Sequence, residues 1–246
     1  VDSRHSTVAA NTLLSLAYRS REDELNKDFP RVLVLLAGHF IGMEEGYTAI
    51  RQLNRSGLRL KLAADEQLLK NHTARQLAAK TGIDDITTSA ALHSLAPEAA
   101  DLLFIPVLSL PLLSRLSMLD AGDPYVELII RFICAGKPAG ALTLGAEPGH
   151  YRWGEQGLLH APPGLKAAMK HKLEAIEGFG ITLLEPDQVD HWITSAQSRL
   201  HKQVLTAEDI QDAVKLGRTS IHAAAPAVIT PLAADLARQY GIEIIL

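Results

Sequence analysis

Cysteine is nearly missing from this chain: Cys134 is the only one in 246 residues. That excludes intrachain disulfides and cysteine-cluster metal sites, and it agrees with a reducing, cytoplasmic setting. Positive charge is not in surplus. With 24 basic against 28 acidic residues and a formal net charge of −4, nothing favours a phosphate backbone or an anionic membrane, so neither nucleic acid nor membrane is an expected partner. No apolar run approaches the roughly 20 residues of a membrane span, and no apolar signal core opens the sequence. Motifs are missing too. Gly38-His-Phe-Ile-Gly42 is not the GxGxxG dinucleotide fingerprint, and no GxSxG nucleophile elbow occurs. His150, His160, His171, His191, His201 and His222 form no HxH or HxxxH pair, so no metal site is expected.

What is present is an alternation of short apolar runs and amphipathic stretches. Val32 to Ala37 is continuously apolar, as in a strand covered on both faces, and Gly38 ends it. Met43 to Leu53 reads as a helix and Leu58 to Ala63 as a second strand. Asp65 then caps a helix that runs through Leu68 and Leu77 to Gly82. Further strands are expected at Leu102 to Pro106, Ala139 to Leu144 and Ile181 to Leu184. Helices are expected at Leu112 to Leu119, Tyr125 to Ala135, Leu165 to Glu177 and Asp190 to Leu200. This order predicts an α/β fold built on a doubly wound parallel sheet.

Two appendages flank it. Residues 1–30 form an N-terminal arm, a short amphipathic helix followed by the charged linker Arg19 to Asp28, and residues 31–200 form the α/β domain. Residues 201–246 form a C-terminal α/β appendage. In that appendage Thr206-Ala-Glu-Asp209 resembles a capping box, and short strands are expected at Thr219 to Ile221, Ala227 to Ile229 and Ile242 to Leu246. The helix Leu232 to Tyr240 follows Pro231 and stops at Gly241. About 40 residues bury little core alone, so this piece should pack on the main domain or on a neighbour.

Three strings carry a family resemblance: Arg31-VLVLLAGHFIG-Met43, Ala100-DLLFIPVLSLPLLSR-Leu116 and Gly136-KPAGA-Leu142. Over roughly Arg31 to Gln188 the chain resembles the flavoprotein superfamily of phosphopantothenoylcysteine decarboxylase and the peptidyl-cysteine decarboxylases. Pro106-Val-Leu-Ser-Leu-Pro-Leu-Leu-Ser-Arg115 is most similar to variants found in bacterial microcompartment gene clusters. The string Ile229-TPLAADLARQYGIEI-Ile245 also resembles a module recurring there. The resemblance implies FMN as cofactor, with Gly38, His39, Pro106, Leu108 and Ser109 at its phosphate and ring. It implies a homo-oligomer, with microcompartment proteins as further partners. It also implies His93 as a catalytic imidazole, acting beside the flavin in a decarboxylase or oxidoreductase-like reaction; the alternative for His93 is an exposed imidazole in a polar loop.

The departures from the family pattern define a rival. Pro111 stands where relatives carry an Asn and offers neither amide nor backbone N–H. Asp65 falls near a Ser that faces the phosphate, and the Pro-Ala-Met-Asn clamp has no match between Glu147 and Pro163. On this reading the chain is a non-catalytic descendant of the fold, acting as an assembly or adaptor component. Two smaller expectations complete the picture. Cys134, in an apolar helix, reads as a buried inert thiol. Tyr151 and Trp153 lie in a segment without periodicity, as a lid over a planar ligand or as an oligomer contact.

Overall fold

A computed structural model describes residues 6–158, 160–200, 204–222 and 227–245. The chain divides into two compact units, Val1–Ile193 and Thr194–Leu246, the division falling inside one helix.

The first unit opens with α1 (Thr7–Ala17) and α2 (Glu22–Asp28). There follow β1 (Arg31–Leu36), α3 (Met43–Arg55), β2 (Arg59–Ala64), α4 (Glu66–Asn71), α5 (Ala74–Thr81) and β3 (Ile86–Thr88). Two 3-10 turns, Ser89–Ser94 and Pro97–Ala99, lead to β4 (Leu102–Ile105), α6 (Leu110–Ser117), α7 (Pro124–Cys134) and β5 (Ala139–Leu142). The unit continues with α8 (Tyr151–Glu155), α9 (Pro163–Gly178) and β6 (Ile181–Leu184), and α10 (Val189–Leu200) crosses the division.

All six strands are parallel, in the order β3-β2-β1-β4-β5-β6. This is the doubly wound α/β fold that the alternation of runs predicts. The chain reverses its direction of travel across the sheet between β1 and β4, where the loops leaving adjacent strands part to opposite faces and open a crevice. Burial explains the apolar strings: Val32 to Leu36 and Leu102 to Ile105 are buried without alternation, because both sheet faces are covered. Leu33, Leu35, Leu103, Ile105, Ala139 and Ile181 form one core with residues of α6, α7 and α9. On the opposite face the Trp192 ring of α10 lies 5.7 Å from that of Phe104 and fills the space that a side chain at Gly140 would need.

Several local expectations are corrected. The charged stretch Arg19 to Asp28 is no linker, because Glu22, Asp23 and Glu24 favour a helix N-terminus and α2 anchors itself through buried Leu25. The helix expected from Asp65 to Gly82 is two helices: Thr73 and Gln76 make a capping box that starts α5 afresh. Strand β3 has no apolar run to announce it. Residues 147–163 contain α8, and Cys134 is exposed, not buried. It ends α7 on the side away from the buried Leu128, Ile129 and Phe132.

The arm is pinned at its first turn. Asp84 Oδ1 accepts hydrogen bonds from Thr7 Oγ1 at 2.5 Å and from the Val8 amide at 3.1 Å. Burial alone would raise this carboxyl, but the hydrogen bonds from Ser6, Thr7 and Val8 outweigh it and bring its pKa to about 2.

The second unit is a small α/β module. Its β7 (Val204–Leu205) pairs with β9 (Val228–Ile229) and its β8 (Ser220–His222) with β10 (Glu243–Ile245), both parallel. Between them α11 (Ala207–Lys215) and α12 (Pro231–Tyr240) share a core of Ile210, Ala213, Ala233, Ala237 and Ile242. The Thr206–Asp209 capping box forms, and Gly241 caps α12 at a left-handed φ of 66°. His201 and Leu246, named in the sequence reading, lie outside the described residues.

Gly46 sets how closely α3 approaches β4. A Cβ there would sit 2.6 Å from Val107 Cγ2 and 2.9 Å from the Pro106 carbonyl oxygen. Gly46→Ala gains up to about 1 kcal/mol of helix propensity but forces a clash with backbone. We therefore expect net destabilisation by about 1–3 kcal/mol in urea unfolding; an unchanged midpoint would show that α3 can shift freely.

Candidate functional site

The crevice between β1 and β4 is framed by the loops that leave the strands at their C-terminal ends. After β1 the chain passes buried Ala37 to exposed Gly38, then His39 and Phe40, and turns into α3 at Gly42, whose φ of 85° is left-handed. The loop after β2 is a single residue, Asp65. Its Oδ2 accepts the Gly38 N–H at 2.8 Å and its Oδ1 accepts the Leu68 N–H at 2.6 Å. Its own amide donates to the Leu36 carbonyl at 3.1 Å. Asp65 is thus both the N-cap of α4, as expected, and the clasp of the β1 turn. Beneath it the Tyr125 hydroxyl lies 3.1 Å from the Leu36 oxygen and 3.0 Å from the Ala63 oxygen. Burial, helped by the Asp65 and Asp123 carboxylates, pushes this phenol far above its usual range.

The loop after β4 is buried from Pro106 to Ser109. Ser109 caps α6, its Oγ accepting the Leu112 N–H at 3.3 Å, and Pro111 follows in the first turn, exposed. The Leu108 amide donates to the Leu142 carbonyl at 3.2 Å. From the β5 side, the Gly145 carbonyl meets His39 Nε2 at 3.0 Å, and a Cβ on Gly145 would lie 2.7 Å from the imidazole. Burial lowers the His39 pKa, and the Gly145 hydrogen bond offsets that only in part. The predicted cradle residues Gly38, His39, Pro106, Leu108 and Ser109 therefore come from adjoining loops. The polar groups of Gly38, His39 and Ser109 are each engaged by another part of the chain.

Tyr151 and Trp153 separate. Trp153 is buried against Ile41 and Met169, and its indole N–H donates to the Leu144 carbonyl at 3.1 Å, so it is a wall of the fold and no lid. Tyr151 remains exposed. Phe40, also exposed, packs edge-on to the Trp153 ring at 5.8 Å. Beside it α3 carries Glu44 and Glu45 in its first turn. Arg152 of α8 pairs with Glu45 at 2.5 Å and with Glu155 at 2.7 Å. A cavity of about 260 Å3, lined by Phe40 to Glu45, Arg152, Glu155 and Gln156, thus holds three carboxylates against one guanidinium.

His93 stands on the 3-10 turn after β3, with its Nδ1 2.7 Å from Glu127 Oε2 of α7. Both side chains reach solvent, and no hydrogen bond among the described residues ties His93 to Gly38, His39 or Ser109. Sequence reading missed Glu127; its only signal was its place in the first turn of a helix opened by Asp123-Pro124. Among the described residues no group of three His, Cys, Asp or Glu gathers as a metal site would require, and no helix is long and apolar enough to cross a membrane.

No protein-family model matches the chain, and no curated protein does. Among solved structures it is similar to the FMN-dependent cysteine decarboxylase TvaF from thioviridamide biosynthesis. That match has 16% identity and a TM-score of 0.47, over 68% of this chain and 95% of that one. HAL3 from Cryptococcus neoformans matches at 12% identity and TM-score 0.48, over 70% and 98%. A phosphopantothenoylcysteine (PPC) decarboxylase mutant complexed with pantothenoylaminoethenethiol matches at 16% and 0.45, over 63% and 81%.

The buried His39 gives the crevice a pH signature. Its folded pKa lies below the ordinary 6.5, so the unfolded chain binds the proton more readily. The stability contributed by neutral His39 is present above about pH 6.5 and declines as pH falls through the folded value. Urea unfolding between about pH 7 and pH 5 should show this decline, and His39→Gln should flatten it; identical pH slopes in both proteins would refute the assignment.

Proposed function

We propose that this chain is a non-catalytic member of the cysteine-decarboxylase-like flavoprotein scaffold, serving as an assembly or adaptor component. The observation that carries this reading is the Asp65 carboxylate on the Gly38 amide at 2.8 Å. A phosphate at this turn would need the Gly38 N–H that Asp65 holds, and would face a carboxylate. At an effective dielectric near 20, like charges about 4 Å apart repel by about 4 kcal/mol. The neighbours give no relief. Glu44 and Glu45 occupy the first turn of α3, Arg152 is already paired, and His39 is kept neutral at pH 7 by burial. Ser109 Oγ accepts the α6 cap and leaves one O–H to donate, a single neutral donor against the Asp65 charge, and Pro111 supplies no amide. These residues do not fit the phosphate of FMN. The family strings support the remainder of the reading: a cytoplasmic homo-oligomer whose partners are microcompartment proteins, contacted through residues 201–246.

A second reading, an FMN-binding flavoprotein, is favoured by one observation. Glu127 holds His93 Nδ1 and leaves Nε2 directed elsewhere, which is how a carboxylate orients an imidazole for acid–base work. In this reading Gly38, His39, Pro106, Leu108 and Ser109 would surround the cofactor, which would supply redox chemistry.

Flavin fluorescence titration separates the two. The purified protein is expected to be colourless and to leave FMN fluorescence unquenched, while Asp65→Ser, which removes the carboxylate, should bind FMN at least about tenfold more tightly, matching relief of about 1.4 kcal/mol or more. Yellow protein, or quenching by the unaltered chain at micromolar FMN, would overturn the first reading and support the second.

A further inference from the structure

The opposite edge of the sheet holds an arrangement that no part of the proposed function uses. In the register of β1 with β2, Arg31 lies beside Arg59 and Leu33 beside Lys61. Alternation along a strand therefore sets all four on one face of the sheet. Over that face a cavity of about 190 Å3 is bounded by Asn11 of α1 and by Leu95, Ala99 and Ala100 of the 3-10 turns and the approach to β4, with Leu33 at its floor. The inner strands of a parallel sheet are ordinarily apolar on both faces, so three cations here require an explanation.

Pairing accounts for two of them. Arg31 makes two hydrogen bonds to Asp101, from Nε at 3.1 Å and Nη2 at 2.9 Å, and Lys61 lies 3.8 Å from Asp85. Arg59 has no such neutralisation. Its Nε donates to the Phe29 carbonyl and its Nη2 to Asn26 Oδ1, both uncharged acceptors, and among the described residues the carboxylate that acts on it, Asp101, is the one Arg31 already holds. Burial, and next the Arg31 guanidinium, lower its pKa, and the Asp101 carboxylate offsets this only in part. With Lys137, which holds the Ala100 carbonyl, and Glu98 beside it, four cations stand against Asp85, Glu98 and Asp101 and leave one unit of positive charge at a chamber whose remaining walls are mainly apolar.

We propose that this cavity binds a small aliphatic carboxylate, its head between Arg59 and Lys61 and its tail against Leu33, Leu95 and Ala99. The single excess charge matches a monoanion better than a phosphate, and the apolar walls leave a use for a hydrocarbon tail that an inorganic ion lacks. The site is independent of the crevice at Gly38 and of whether FMN binds there.

Calorimetric titration of the full chain with sodium butyrate and, separately, with inorganic phosphate, at ionic strength held constant with KCl, tests this. Butyrate should bind and raise the melting temperature, as a ligand of the native state must; phosphate and KCl should not. Lys61→Gln, at a half-exposed position, should weaken butyrate at least about tenfold, the worth of one charge-assisted contact. Ala99→Leu, which keeps every charge but fills the chamber, should weaken it as well. Butyrate no better than KCl, phosphate binding in preference to butyrate, or butyrate binding equally to both variants and the unaltered chain would each overturn the proposal.

Discussion

The turn after β1 is held by one carboxylate. Asp65 accepts the amide of Gly38 across the β1 turn and the amide of Leu68 in its own helix, and its backbone N–H returns to Leu36. In open α/β folds the turn after the first strand offers free N–H groups to a ligand at the switch point. Here the turn is supplied with a negative charge by the protein itself. One carboxylate caps α4 with Oδ1 and holds the Gly38 amide with Oδ2, so the start of α4 and the shape of the β1 turn are tied to the same residue.

The rest of the crevice follows the same pattern of internal satisfaction. The His39 ring fills space that only a glycine at position 145 leaves, and Tyr125 lends its hydroxyl to the carbonyls at the ends of β1 and β2. Trp153 ties α8 to the exit of β5. Buried polar groups seek partners within the chain when no ligand provides them. The reverse holds at the N-terminal end of the strands, where half-buried Arg59 hydrogen-bonds to neutral acceptors and shares Asp101 with Arg31, beside the cavity.

Much of the fold was legible because it rests on short-range rules. The apolar runs at Val32 and Leu102 announce strands covered on both faces, Asp65 and Thr206 announce helix starts, and Gly241 announces a stop. What was hidden depends on distant partners. Strand β3 is Ile-Thr-Thr and exists because it pairs with β2, while α8 lies in a Gly- and Pro-rich stretch and exists because Trp153 finds Leu144 and a small core with Ile41 and Met169. Cys134 was misjudged because an apolar neighbourhood in sequence does not say which helix face a residue takes. At the site, the sequence marked Gly38, Asp65 and Ser109 as residues that mattered and flagged Asp65 as adverse to a phosphate. That Asp65 clasps Gly38, that His39 reaches Gly145 and that Glu127 reaches His93 are contacts between positions 27, 106 and 34 residues apart, beyond any local pattern.

Asp65 meets the β1 turn at a single amide proton, that of Gly38, and solution NMR reads it directly. If Asp65 holds the Gly38 amide, that amide should exchange slowly with solvent, lose its protection in Asp65→Ser, and stay in place when FMN is added at neutral pH. A Gly38 amide that exchanges equally fast in both proteins and shifts on addition of FMN would contradict this and return the turn to the cofactor.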